Sequence, residues 1–324
     1  MQELVARLLR PFRALAGRAS LASTGSSSAL GGVPALEACQ AELAKYSRLQ
    51  FVPPGHFYSP IVVPDPESSY SGLTLGQVKV AGIDFRLEAQ KELLLSPQFK
   101  DIYDQLPFSN EKKDGFRYFY LNPAFSYSDA ISLFFMLRHF RPSSVIEVGS
   151  GYSSALMLDT FERFFPKPPV ITFIEPYPQL LRSLFVKGDQ ASCRVIEKDL
   201  QEVPLTTFAS LDRDDILFID STHVAKSGSD VNYLLAQILP ALRPGVLIHI
   251  HDIFSSFEYP SAWVAEGRNW NEVHMLRSFL QYNHAFEVVF FDELLGTVFP
   301  EIIAENYPLM ALNKGGSIWI RKIH

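Results

Sequence analysis

One segment restricts the fold more than any other. Residues 143–158, SSVIEVGSGYSSALML, read as an apolar strand, a Gly-x-Gly turn and the first turns of a helix. Gly149 and Gly151 allow backbone conformations and a close ligand approach that a Cβ would block. Short Val/Ile-rich runs at 144–148, 170–175, 193–197, 215–220, 246–251, 286–291 and 317–321 alternate with helix-like stretches at 152–165, 178–185, 230–239 and 272–281. That alternation specifies an α/β fold, a seven-stranded and mostly parallel sheet with helices on both faces. The last two runs lie closer to a hairpin, with no clear helix between them. No internal repeat is visible.

The pattern divides the chain into 1–34, 35–130 and 131–324. In the first part Leu4, Val5, Leu8, Leu9, Phe12 and Leu15 fall on one helical arc, and Arg7, Arg10, Arg13 and Arg18 on the other. This fits membrane-surface contact through 2–18, a transit peptide, or a helix packed on the body. Pro11 argues against a straight helix. A Ser/Gly-rich linker, LASTGSSSALGG, follows. The 35–130 part reads as a mostly helical cap covering a pocket, with a helix at 36–46, a proline-punctuated loop at 51–66 and an aromatic run at 116–130.

Hydrophobic residues make up 47% of the chain and charged ones 20%, with no run approaching the ~18–20 apolar residues that cross a bilayer. A soluble, cytoplasmic protein is expected, or an organellar one if the first residues are a transit peptide. The net charge of −6 gives no reason to expect a nucleic-acid partner. Cys39 and Cys193 form no CxxC pair, which fits a reducing compartment. A homo-oligomer stays open.

Two ligand classes use a Gly-x-Gly turn. A dinucleotide needs a third small residue and a helix N-terminus aimed at its pyrophosphate. S-adenosylmethionine (SAM) carries a sulfonium, an ammonium and a carboxylate instead, and Glu147 suits such a cation better than a pyrophosphate. Glu175, ending the second strand, is placed to accept ribose hydroxyls from either ligand, and Asp199 to meet an adenine amino group. His249 and His251 alternate onto one face of the fifth strand. Asp220, His223, His251 and Asp252 converge at the carboxyl ends of two adjacent strands, where open α/β sheets place ligands. One reading makes His223 or His251 a general base, with Asp220 orienting His223. The bland alternative makes His249 a buried, hydrogen-bonded core residue and Asp252 a cap.

The motifs EVGSG, FIEP, KDL, FIDSTH and LRPGVLIHIHD, in this order and spacing, resemble class I SAM-dependent methyltransferases, over roughly 115–324. The likeness is closest to the small-molecule branch, and GHFYSPI at 55–61 resembles the lid of bacterial members. The resemblance implies a Rossmann-like fold and SAM held by Glu147, Gly149, Ser150, Gly151, Glu175, Asp199, Asp220 and Tyr127. It implies a small-molecule acceptor methylated on oxygen or nitrogen, with His56, Tyr58 and Phe125 on the acceptor side. It also admits a divalent metal on Asp220, His223, His251 and Asp252, since catechol- and macrolide-type relatives hold magnesium at equivalent strand ends. His251 departs from their acidic residue and would favour a transition metal. The rivals are an NAD-dependent oxidoreductase, against which Ser154 stands where a third glycine is wanted, and a non-catalytic SAM-binding or adaptor protein.

Overall fold

Parallel strands buried on both faces read as near-continuous apolar runs, and the central strands of this sequence do so save chiefly for Glu147, His249 and His251. The computed structural model describes residues 51–62 and 80–324. The amphipathic segment and the helix expected at 36–46 lie outside these residues. The chain divides into two compact units between Ile61 and Val62. In the first, 51–61 form a turn-built loop in which Gly55 N–H donates to the Ile61 carbonyl (2.9 Å) and Ser59 N–H to that of His56 (2.7 Å). Tyr58 N–H donates to His56 Nδ1 (3.2 Å), and the rings of Phe57 and Tyr58 lie 4.2 Å apart on an exposed surface.

The second unit holds the sheet. It opens with α1 (Leu87–Leu94) and α2 (Pro97–Tyr103). Ser96 caps α2, its hydroxyl accepting from Phe99 N–H (3.1 Å), with Pro97 in the first turn where no donor is needed. Residues 104–126 are irregular. The apolar helix α3 (Tyr127–Phe140) leads into β1 (Ser144–Val148), α4 (Tyr152–Phe164), β2 (Val170–Ile174), α5 (Gln179–Leu184), β3 (Arg194–Ile196) and β4 (Ile216–Ile219). The crossover to β5 (Leu247–His251) is helical through Asp230–Tyr233, a π turn at Leu234–Ile238 and Leu239–Ala241. Then follow α6 (Glu272–Leu280), β6 (Phe286–Phe291), α7 (Asp292–Val298), α8 (Pro300–Asn306) and β7 (Ser317–Lys322).

The strand order is β3-β2-β1-β4-β5-β7-β6, with β7 antiparallel to both neighbours and the other pairs parallel. The hairpin expectation is half right. β6 and β7 do pair antiparallel, but α7 and α8 stand between them. Each is one or two turns long and they meet at Phe299-Pro300, too short for a helical period to show.

Side-chain alternation divides the core. Val145, Phe173, Phe218, Leu247 and Trp319 face α3 and α4, while Ile146, Ile174, Leu217, Ile248 and Ile320 face α6 and the β4–β5 crossover. The first face also carries the fully buried Glu147 and His249 and the nearly buried His251. At the outer edge, Gln90 accepts from Phe291 N–H (2.7 Å) and Arg86 Nη1 donates to the Val288 carbonyl (3.4 Å).

Arg117 fastens the irregular stretch to the body. Its guanidinium meets Asp159 (2.7 Å), Glu162 (2.7 Å) and both oxygens of Asp189 (2.6 and 2.8 Å). Asp159 also accepts the backbone N–H groups of Arg117 and Tyr118 (both 2.9 Å). Burial opposes the Arg117 charge, but the three carboxylates hold its pKa far above the usual arginine value. Removing one partner of such a buried set leaves charges uncompensated. Arg117→Ala should therefore cost about 3–5 kcal/mol in urea denaturation and expose 104–126 to protease. Arg117→Lys should recover only part, lacking the fork that spans Asp189. A loss within about 0.5 kcal/mol for Arg117→Ala would refute the clamp.

Candidate functional site

The turn after β1 is built around one glycine. Gly149 has φ +78°, and a Cβ there would lie 1.7 Å from the Asp220 carbonyl oxygen. The Gly149 backbone is thus pressed against the carboxyl end of β4, while its N–H donates to Ile174 of β2 (3.0 Å). Gly151 differs. Its backbone is extended, and a Cβ would meet only Leu180 Cδ2 at 3.3 Å.

Glu147 was expected to face a cationic ligand, but it lies sealed beneath the turn. It has no exposed surface, and its oxygens accept from Ser153 Oγ (2.6 Å) and Ser154 Oγ. Burial pushes its carboxyl up to about 8 against the pull of the two hydroxyls, so it is largely neutral at pH 7. It anchors the start of α4. Ser154 Oγ also accepts from Gly151 N–H (3.0 Å), which occupies the residue where a dinucleotide fold wants a third glycine.

Glu175 follows β2 directly, and its carboxylate accepts from Ser150 N–H (3.1 Å) and Tyr177 N–H (2.8 Å). Each oxygen keeps a lone pair for a further donor. Ser150 Oγ is buried without a partner in the same turn. Asp199 is exposed beyond β3 and makes no capping bond. Tyr127 stacks on Tyr120 (5.1 Å), and its hydroxyl donates to Asn110 (3.1 Å). Phe125 lies 5.2 Å from the His251 ring and is only 2% exposed, so it backs the imidazole instead of lining open space. His56 and Tyr58 belong to the first unit.

The acids and imidazoles at the ends of β4 and β5 do converge. His223 Nε2 lies 3.3 Å from Asp220 and 3.6 Å from Asp252, and its Nδ1 is 2.8 Å from Glu272. His251 Nε2 lies 3.5 Å from Asp252. The carboxylates of Asp220 and Asp252 are the accessible members, with 35% and 18% of their side-chain surface exposed. His223 and Asp252 adopt left-handed backbones, at φ +60° and +57°. At His223 this turns the carbonyl toward the N–H groups of Asn271 (3.0 Å) and Glu272 (3.1 Å), ahead of α6.

Charge separates the three histidines. Burial alone would lower His223, but its bonds to Asp220 and Glu272 raise it to about 10, so it is a fixed imidazolium at neutral pH. That corrects its assignment as a base. His251 is raised too: burial opposes, and Asp252, Asp220 and Asp129 outweigh it. Burial would raise Asp220, but His251 and His223 hold it below the usual carboxylate value. Burial raises Asp252 against the same two imidazoles. His249 is fully buried and neutral, stacked on Phe218 at 3.9 Å with neither nitrogen hydrogen-bonded. It is a core residue, though not a hydrogen-bonded one.

Among the described residues no group of three or more His, Cys, Asp or Glu side chains is arranged to hold a metal ion. Asp220, His223, His251 and Asp252 are disposed as ion pairs. Glu272 was missed in the sequence, and nothing local could have revealed it. It belongs to the first turn of a helix far along the chain and looks there like an ordinary N-terminal acid.

Gly149→Ala should lose on the order of 4 kcal/mol in urea denaturation and its SAM binding with it, whereas Gly151→Ala should stay within about 1 kcal/mol of wild type. Equal losses would contradict the packing of the turn on β4. For His223, the folded pKa of about 10 exceeds the free value of 6.5. Its ion pairs therefore stabilise the fold fully below pH 6.5 and lose effect as pH rises toward 10. The urea midpoint should decline across that window, and His223→Gln should flatten the decline.

A family described as "Methyltransferase domain" matches residues 146–253, the span from β1 to just past β5. An uncharacterized protein of Archaeoglobus fulgidus is 33% identical over 172 residues, covering 51% of this chain and 75% of the relative. Among solved structures, the SAH-bound methyltransferase PaMTH1 of Podospora anserina is 14% identical with a TM-score of 0.39, over 74% of this chain and 94% of that one. The SAM complex of the O-methyltransferase TomG of Streptomyces achromogenes is 14% identical with a TM-score of 0.41, over 74% and 96%. A putative O-methyltransferase of Klebsiella pneumoniae is 15% identical with a TM-score of 0.40, over 73% and 97%. With the glycine turn, its acid-ended second strand and the 3-2-1-4-5-7-6 sheet beside it, the match identifies residues 146–253 as a methyltransferase domain.

Proposed function

We propose that this methyltransferase acts on a hydroxyl or amine of a small molecule, with His251 as the general base. One observation carries the reading. His251 Nε2 makes no hydrogen bond and stands 3.5 Å from the partly exposed Asp252, whereas both nitrogens of His223 face carboxylates. The residues of the turn suit the donor. Gly149 and Gly151 present bare backbone, Ser150 offers an unpaired hydroxyl, and Glu175 has lone pairs left for ribose hydroxyls.

SAM supplies the methyl group already activated on a sulfonium, so the protein's task is placement and proton removal. The acceptor's oxygen or nitrogen lone pair forms the bond to the methyl carbon as the carbon–sulfur bond breaks, leaving a neutral thioether. The acceptor proton passes to His251 Nε2. Asp252 and Asp220 stabilise the imidazolium that results, and His223 keeps the two carboxylates apart. Trp270, 4.4 Å from His223, and Trp263, 5.6 Å from Trp270, offer aromatic surface beside this edge. Together with the net charge of −6, they favour a small, partly apolar acceptor over a nucleic acid.

The test uses radiolabelled SAM with a panel of phenols, hydroxy acids and amines. His251→Ala should lower kcat roughly 10²–10⁴-fold while leaving the SAM Kd within about threefold. Activity should rise with pH through a His251 pKa above the free value, because only the neutral imidazole accepts a proton. Chelators should leave the rate unchanged. Full activity in His251→Ala would exclude it as the base, and loss on chelation with recovery by one divalent ion would replace proton transfer with metal assistance.

A further inference from the structure

The face of His251 turned away from the site meets a chain of buried groups that the reaction above does not use. His251 Nδ1 lies 3.3 Å from Ser317 Oγ and 3.9 Å from Asp129. Ser317 Oγ in turn donates to Asp129 Oδ1 (2.6 Å), which also accepts Gly316 N–H (2.8 Å). Behind Asp129 lies the fully buried Asp292, and the two carboxyls meet at Ser317, whose hydroxyl goes to Asp129 and whose N–H goes to Asp292. Asp292 Oδ1 accepts the N–H groups of Ser317 (2.7 Å) and Glu293 (2.8 Å). The two carboxyls flank Gly315, where a Cβ would come within 2.7 Å of Asp292 and 2.9 Å of Asp129.

We propose that Asp129 is a positioning residue for His251, acting through Ser317, and that Asp292 carries the one proton the two acids share. With Asp129 as the charged acceptor, the Ser317 hydroxyl must point its hydrogen at Asp129 and its lone pair at His251. That arrangement holds His251 as the Nδ1–H tautomer and leaves the Nε2 lone pair facing the acceptor. Two like charges in contact in a dry interior do not both persist, so one acid takes a proton. Asp292 is the one that takes it, since burial and the Asp129 charge both push its carboxyl well above the ordinary value. The inference rests on His251 as the base.

A purely structural role is the competing account, because both acids also hold the 315–317 turn through backbone N–H groups. Charge separates the two. The groups facing His251 are Asp252, Asp220 and His223 at the strand ends, Asp129 from α3, Ser317 from β7 and the neutral His249 on its own strand. Changing Asp129 alone alters the charge behind the ring. Changing Asp292 to its neutral isostere does not.

The measurement is ¹⁵N NMR of the histidine rings in the S-adenosylhomocysteine-bound protein over a pH series, with His251→Gln to assign the signal. Asp129→Asn should lower the His251 pKa by about one unit or more, and Asp292→Asn should leave it within about 0.3. An unmoved pKa in Asp129→Asn, or equal shifts in both variants, would overturn the proposal. Should Asp129→Asn fail to fold, Ser317→Ala decides. A gain of the Nε2–H tautomer supports the relay, and an unchanged Nδ1–H tautomer refutes it. If the NMR shifts appear but the acidic limb of the rate profile does not follow them, the relay stands and His251 is not the base.

Discussion

Everything at the ligand edge depends on the contact between Gly149 and the carbonyl of Asp220. A backbone pressed on a backbone tolerates no side chain, so the turn after β1 and the end of β4 form one rigid corner. The corner is held from both sides, by Asp220 N–H on the Val148 carbonyl (2.9 Å) and Gly149 N–H on that of Ile174 (3.0 Å). The glycine turn and the acid–imidazole cluster are therefore fixed relative to each other by main chain alone, and side chains only refine what the sheet already sets. Placement at this level is what methyl transfer requires, since the donor's chemistry is already primed.

The cluster follows the same economy. Four acids and two imidazoles share a small volume, and their protonation is decided by which neighbours each one meets. His223, paired on both nitrogens, becomes a permanent positive strut. His251, paired on one side through a hydroxyl, keeps Nε2 without a hydrogen bond. The same residue type at or just past the ends of adjacent strands thus meets different partners, Glu272 on one side and Asp129 on the other.

That division explains what the sequence disclosed and what it withheld. The central strands were legible because both of their faces are buried, which favours near-continuous apolar runs. The glycine turn, the position of Glu175 after β2 and the convergence of Asp220, His223, His251 and Asp252 followed from strand ends in a parallel sheet. The roles of Glu147 and His223 did not, because each depends on a partner's placement. Two serines in the first turn of α4 make Glu147 an anchor, and a helix start far along the chain charges His223. Asp292 looks like a routine acid in the first turn of α7, and only the fold brings it to Asp129 in the first turn of α3. The helices between β6 and β7 were hidden by their brevity and by Pro300.

The two ends of the sheet have a bearing on how the protein lives among other proteins. A free strand edge is a template for a neighbour's backbone, and long flat edges invite runaway association. Here one margin, β3, is only three residues long. At the other, Gln90 and Arg86 already occupy main-chain groups of β6 that an incoming strand would need. Among the described residues, then, neither margin offers a long open ladder. Through the described margins the sheet has little open backbone with which to extend from one molecule to the next, and contact there falls to helices and loops.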